Sequence, residues 1–379
     1  MLIITRHRLH ENNGGANGSK GFIHCIARLF ENCSLICPAF EGTATTYIPA
    51  NIKVYPYYDR RSNIRKGIDM WCGHICANAS FVRNHLKTHR YDIIVIDHSF
   101  AGASLVRTIK DTGAKIITIH HNVERDYLND NRKDYSILWR WPYIHFAQIA
   151  EKDSLELSNL NLTVTEKDAK EFQSWYVDKK NIQSWGNFEY RPMQQKTFQQ
   201  KDNSKIVFVI SGSLYFEQSL TPIIEFMNRY WPIVNQLYSH AELIIAGRNP
   251  RKLLISICGN FKNVYLFPNP VDMEEIIKRC NYYICPINAG SGRKLRIIDG
   301  LKQGLPILCH EVSAAGYEQI AKAGCLFSYH DEKSFKSALQ AMVHAQICPE
   351  IVYDTFRNCF SLETGTERLR QILLQTNLL

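Results

Sequence analysis

The sequence predicts an α/β protein built from two parallel-sheet domains. Three observations carry this: short continuous apolar runs alternate with segments of helical period, the alternation restarts after a polar stretch, and glycine-rich turns mark where strands give way to helices. At 379 residues, 45% of them hydrophobic, the chain exceeds what one core usually supports.

Taken in order, Leu2-Ile3-Ile4-Thr5 is a first strand leading into a glycine loop, Asn12-Asn13-Gly14-Gly15-Ala16-Asn17-Gly18. Ser19 is then placed to cap a helix carrying Phe22, Ile23, Ile26, Leu29 and Phe30. Leu35-Ile36-Cys37 and Ile52-Lys53-Val54-Tyr55 read as strands, and residues 64–89 as a basic helix. Two longer runs, Tyr91 to Asp97 and Ala114 to His120, have the pattern of parallel strands covered on both faces, and Leu162-Thr163-Val164-Thr165 closes this half. Between Asn187 and Lys205 the sequence turns polar and glutamine-rich, as a linker does.

The pattern restarts with Ile206-Val207-Phe208-Val209-Ile210, a Ser-Gly-Ser turn and a helix through Tyr230. Strands at Ala241–Gly247, Val264–Leu266 and Tyr282–Cys285 follow. The predicted domains are 1–190, a linker 191–204, a second domain 205–355, and a C-terminal helix 356–379 returning to the first domain. Two such halves imply a cleft, where ligands favour binding.

Residues 288–306 are the most informative segment. Gly290 and Gly292 permit a tight turn and close approach to a ligand, Arg293, Lys294 and Arg296 add charge, and a helix is predicted from about Arg293 to Gln303. Leu295, Ile298 and Leu301 form its apolar stripe, and Asp299 can accept two hydrogen bonds from a sugar diol. Gly304 and Pro306 end it before the strand Ile307-Leu308-Cys309.

The balance of 45 basic against 36 acidic residues, +9, suits nucleotide phosphates, nucleic acid or an anionic membrane. Its dispersal, without a recognised nucleic-acid module, argues against nucleic acid as partner. Twelve scattered cysteines without Cys-x-x-Cys pairs read as buried thiols of a reducing cytoplasm. With no leader-like start and no run long enough to span a bilayer, the protein is expected to be cytoplasmic, working at the inner face of the plasma membrane. Arg60, Arg61, Arg65, Lys66, Arg83 and Lys87, with Trp71, Phe81 and the Trp139-to-Tyr143 stretch, suggest a basic, aromatic face for peripheral membrane contact.

The order of these landmarks resembles the retaining GT-B glycosyltransferases that build bacterial surface polysaccharides and related glycans. Carrying the likeness are Ser211-Gly212-Ser213-Leu214, Leu243 to Pro250, Asn269-Pro270-Val271-Asp272-Met273, the 288–306 segment, Gly14-Gly15, Thr118 to Glu124, and Gly186-Asn187-Phe188. The resemblance implies two Rossmann-like domains facing across a cleft. It also implies hexosyl transfer from a nucleotide diphosphate sugar to a glycan or lipid-linked glycan acceptor. Donor contacts would then fall to Gly14, Gly15, Ser213, Arg248, Pro270, Ser291, Gly292, Arg293, Lys294 and Asp299.

Of the two acids separated by seven residues in the family's donor motif, Asp299 keeps the second, whereas Ser291 stands at the first. Tyr215-Phe216-Glu217-Gln218-Ser219 also lacks the Arg and Lys that usually follow the donor-domain turn, leaving Arg293, Lys294 and Arg248 to neutralise the diphosphate. His120 matches the histidine beside the reacting sugar and His121 is its alternative, since adjacent strand residues face opposite ways. His98, Asn122 and Glu124 are acceptor-side candidates. Without an Asp-x-Asp motif no metal or other cofactor is expected. The competing readings are an epimerase or hydrolase of the same architecture and a non-catalytic scaffold that binds nucleotide sugar.

Overall fold

The computed structural model describes every residue except 12, 40–46, 73–77, 100–102, 131–135, 176–180, 199–205 and 291. The chain divides into two compact units. One comprises Met1–Pro192, Ser291–Arg293 and Phe360–Leu379; the other comprises Met193–Gly290 and Lys294–Cys359.

The first unit is built on a 7-stranded parallel sheet: β1 (Leu2–Thr5), β2 (Cys33–Pro38), β3 (Ile52–Tyr57), β4 (Ile93–Asp97), β5 (Lys115–His120), β6 (Leu160–Thr163) and β7 (Ile182–Ser184). The order is β3-β2-β1-β4-β5-β6-β7, with Leu2 opposite both Ser34 and Ile94. Strand addition reverses direction between β1 and β4, so the loops leaving their carboxyl ends diverge and open a crevice there.

Side-chain alternation divides the core. Ile3, Val95, Ile117 and Ile119 pack with Phe22 and Ile26, whereas Leu2, Ile4, Ile94 and Ile96 pack with Val82, Val106 and Ile109 on the other face. The helix α1 (Gly14–Leu29) lies on the first face. It starts earlier than the sequence suggests: the Asn13 side chain accepts the Ala16 amide at 2.9 Å, so the glycines form its first turn rather than a loop. Ser19 is therefore not a cap but a buried residue inside α1.

The C-terminal helix, Leu362–Gln375, belongs to this unit and adds Leu369, Ile372 and Leu373 to the α1-side core. The Trp185 indole donates to the Gly365 carbonyl at 2.8 Å. Instead of one basic helix over 64–89 there are two, Asn63–Trp71 and Asn78–His85, with part of the intervening chain outside the described residues.

The second unit holds a 6-stranded parallel sheet: β8 (Ile206–Ser213), β9 (Ala241–Arg248), β10 (Val264–Pro268), β11 (Tyr282–Cys285), β12 (Ile307–His310) and β13 (Leu326–Tyr329). Its order, β10-β9-β8-β11-β12-β13, repeats the same reversal, here between β8 and β11. Phe208, Ile210, Leu243, Ile245, Ile284 and Leu308 form a separate core with Leu220, Ile223 and Trp231. All described cysteines are free thiols, and all but Cys72 and Cys348 are buried.

Candidate active site

In the first unit the reversal point collects an unusual set of titratable side chains. Thr5 ends β1 and leads to Arg6 and His7; Asp97 ends β4 and is followed by His98; β5 runs out into His121, Asn122 and Glu124. The His121 Nε2 and the Asp97 Oδ1 lie 2.7 Å apart. The His7, His98 and His121 rings form a triangle with centroids 5.3, 5.2 and 4.9 Å apart.

Gly15 and Gly18 let this cluster sit against α1. A methyl group at Gly15 would run into the His7 ring, and one at Gly18 would lie 3.1 Å from the Asn187 amide nitrogen and 3.6 Å from His121. His98 adopts φ 88°, a left-handed conformation costly for a side chain with a Cβ, while its amide extends the strand pairing to Ile119 O at 3.0 Å. Such local strain, held by the surrounding fold, is common at functional positions.

Electrostatics fixes the charge states. Burial pushes Asp97 upward, but the His121 charge and hydrogen bond, with His7 and Ser19, outweigh it and hold the carboxyl at about 2. Asp97 is thus a buried anion, and the His121 Nε2 that faces it carries hydrogen, which turns Nδ1 to the opposite side of the ring. Burial first, then His121, lowers His7 to about 3, and the same causes take His98 well below its ordinary value. Both are neutral at pH 7, so the 3.4 Å contact between His98 Nε2 and Glu124 Oε1 is no ion pair.

Burial also raises Glu124 to about 7 against the pull of Arg6, and raises Glu151 to about 8, with the Glu124 charge adding to it. Glu151 accepts the Glu124 amide at 2.5 Å and so anchors the start of the Glu124–Asp130 helix. Asn122 donates to Glu124 Oε1 at 3.4 Å.

His120 lies elsewhere. It is 1% exposed, its Nε2 pairs with Asn161 Oδ1 at 2.9 Å, and its ring packs on Phe172 at 4.8 Å. Burial lowers it to about 4. Of the two adjacent histidines, His121 joins the Asp97 cluster.

In the second unit the equivalent reversal point is formed by the end of β8 and the loop after β11. Gly290 and Gly292 take φ 86° and 69°, the left-handed turn conformations that their residue type permits. The helix beyond them is shorter than predicted, Arg296–Lys302, because residues 293–295 continue the turn. Lys294 Nζ donates to Gly290 O at 3.0 Å, and Tyr317 Oη donates to Lys294 O at 3.1 Å.

Arg296 reaches back to the β8 turn. Its guanidinium donates to Ser219 Oγ at 2.7 Å and lies where a Gly212 Cβ would be 3.1 Å from its central carbon. Its Nη1 is buried without a hydrogen-bond partner among the described residues. A cation therefore stands beside the turn after β8, although the residues following that turn supply none.

Asp299 is half-buried in the first turn of the helix, and after burial it is the next cause raising the Tyr283 hydroxyl. Ser213 pairs with Arg248 at the ends of β8 and β9. Arg248 ends β9 and Pro270 follows β10, and the loops leaving these strands are tied by the Asn249 amide donating to Asn269 Oδ1 at 2.8 Å. Arg293 separates from Lys294: it counts with the first unit, donates to Asn187 O at 3.2 Å and lies 4.7 Å over the Phe360 ring. Gly292 shares that unit, and a Cβ there would fall 2.5 Å from Asn122 Oδ1. Ser291 lies outside the described residues.

Sequence reasoning missed Arg6, His7, Asp97 and Glu151. The signal for Asp97 and His7 is positional: Asp97 ends β4 and His7 follows β1 at the reversal point, which becomes visible only once the strand order is known.

Against known families, residues 21–188 match Glycosyltransferase Family 4 and residues 205–345 match Glycosyl transferases group 1. The two parallel sheets give the chain the GT-B fold, and each half is similar to a glycosyltransferase family.

An uncharacterized 44.6 kDa protein in the cps region of Klebsiella pneumoniae is 22% identical over 239 residues, 60% of this chain and 59% of that protein. The chain therefore matches about three fifths of that relative's length. HepE of Anabaena, solved in complex with UDP, is 12% identical with a TM-score of 0.66 over 99% of both chains. WaaG, a glycosyltransferase involved in lipopolysaccharide biosynthesis, is 14% identical with a TM-score of 0.58, again over 99% of both chains.

Proposed function

We propose that the protein transfers a hexosyl group from a nucleotide diphosphate sugar to a glycan or lipid-linked glycan acceptor, with retention, in surface polysaccharide synthesis on the cytoplasmic side. The observation that carries this reading is the buried Arg296 Nη1 beside the end of β8, without a hydrogen-bond partner among the described residues, with Lys294 on the same loop. A nucleoside diphosphate leaving group needs its developing charge neutralised, and these two cations supply that without a metal. Asp299 would take the ribose diol. The UDP complex of HepE, the lipopolysaccharide role of WaaG and the cps-region relative support the donor class and the pathway class.

In the first unit His121, oriented by Asp97, would present Nδ1 to a hydroxyl of the reacting sugar. Glu124, poised near neutrality, would contact an acceptor hydroxyl, with Asn122 and His98 holding its carboxyl.

The test is calorimetric titration with UDP, GDP, ADP and CMP, followed by Lys294→Ala, Arg296→Ala and Asp299→Ala. One nucleotide should bind, and each variant should weaken it about tenfold or more, the size of a charged hydrogen bond. Unchanged affinity in all three would sink the assignment. Product analysis by NMR, with and without acceptor glycans, reads retention at the anomeric carbon and separates transfer from epimerisation.

A further inference from the structure

We infer that the first unit docks on an anionic lipid bilayer through a groove between the Asn63–Trp71 helix and the start of the Ile137–Leu157 helix. The groove has a volume of about 620 Å³. Ile64, Ile68 and Trp71 recur at helical spacing and are 78%, 52% and 52% exposed, so this helix turns its apolar stripe outward. Its inward residues are the reverse of a core face: Gly67, which lies under the Trp139 ring, and buried Asp69.

The facing helix continues the surface. Ile137 and Leu138 are 83% and 71% exposed, and Trp141 lies 5.8 Å from Trp71. A contiguous exposed apolar surface of this kind marks an interaction site.

Charge selects the occupant. Arg65 and Lys66 are exposed on the groove helix and Arg60 shortly before it, and with Arg61 these cations outnumber Asp59 and Asp69, the acids that Arg61, Arg65 and Lys66 engage. A second copy of the chain would set this basic rim against itself, which two-fold pairing makes repulsive. Tryptophans above an apolar groove, bordered by arginine and lysine, match the layered chemistry of a membrane surface: acyl boundary, headgroup, phosphate. Among the described residues no helix is long and apolar enough to cross a membrane, so the contact lies in the interface plane.

Vesicle co-sedimentation of the full chain tests this, using phosphatidylcholine alone and with about 30% phosphatidylglycerol, at low and high salt. Binding should require the anionic lipid and fall with salt. Ile64→Glu with Trp71→Ser should reduce it by an order of magnitude or more, as should Arg60→Ala with Arg65→Ala, which leaves Asp69 still paired to Arg61. Circular-dichroism melting within a few degrees of the parent verifies that the variants fold. Equal binding to both vesicle types, no binding to either, or vesicle binding unaffected by both double variants would overturn the inference. So would a concentration-dependent dimer that the Ile64/Trp71 variant dissolves while vesicles go unbound.

Discussion

At the scale of single residues, the two adjacent histidines carry opposite expectations. His121→Ala removes the imidazole that Asp97 orients, so turnover should fall about 100-fold or more with folding intact, the range for loss of a positioned acid or base. His120→Ala empties a buried site packed on Phe172 and removes the partner of Asn161 Oδ1. It should instead lower stability by about 2 to 4 kcal/mol, measured by chemical denaturation, with turnover per folded molecule little changed. If turnover collapsed for His120→Ala and survived His121→Ala, the two histidines would exchange roles.

The buried carboxyls predict a pH dependence. Glu124 and Glu151 stand at about 7 and 8 against an ordinary 4.5, so the folded state holds protons that the unfolded chain has lost. Their contribution is complete below 4.5 and is lost as pH rises to about 8. The depressed histidines act oppositely: their contribution is lost as pH falls below 6.5, towards about 3 for His7. Between pH 6.5 and 8 only the carboxyl loss remains, so melting temperature should decline there. Glu151→Gln should flatten that decline, and an unchanged slope would contradict the burial account. The histidine ambiguity was legible in the sequence; its resolution was not, because it depends on which face of β5 meets Asp97.

At the scale of elements, the strands were the most legible part. Continuous apolar runs announce parallel strands covered on both faces, and β1, β4, β5, β8 and β9 lie where those runs lie. The short β7 and β13 went unread: Ile182-Gln183-Ser184 and Leu326-Phe327-Ser328-Tyr329 mix polar and apolar residues at sheet edges, where burial demands less. Helix starts were misplaced in both directions, since a cap is a hydrogen bond made in three dimensions. Asn13 brought α1 forward, and the turn after Gly292 held the Arg296–Lys302 helix back. The last helix offers a test of where the chain ends up. Leu373 is fully buried among residues of the first unit, so Leu373→Ala should cost about 2 to 5 kcal/mol and lower the melting of that unit alone.

At the scale of the whole molecule, two cores without shared members predict two cooperative transitions in calorimetry. A nucleotide held by Lys294, Arg296 and Asp299 should raise the transition of the second unit, by about 2.7 kcal/mol at a hundredfold excess over its dissociation constant. A nucleotide that moved only the first unit's transition would relocate the donor site.

What the sequence determined by itself was the α/β class, the existence of two sheet-bearing halves, and the glycine-rich, basic character of the 288–306 segment. These are properties of neighbouring residues, and local periodicity and composition record them. Tertiary structure alone decided that His7 and Asp97, ninety residues apart in sequence, stand together at one reversal point, that His121 joins them while His120 turns away, and that Arg296 lies against the end of β8. Each of these depends on strand order and side-chain direction, which arise only when distant segments pair and pack.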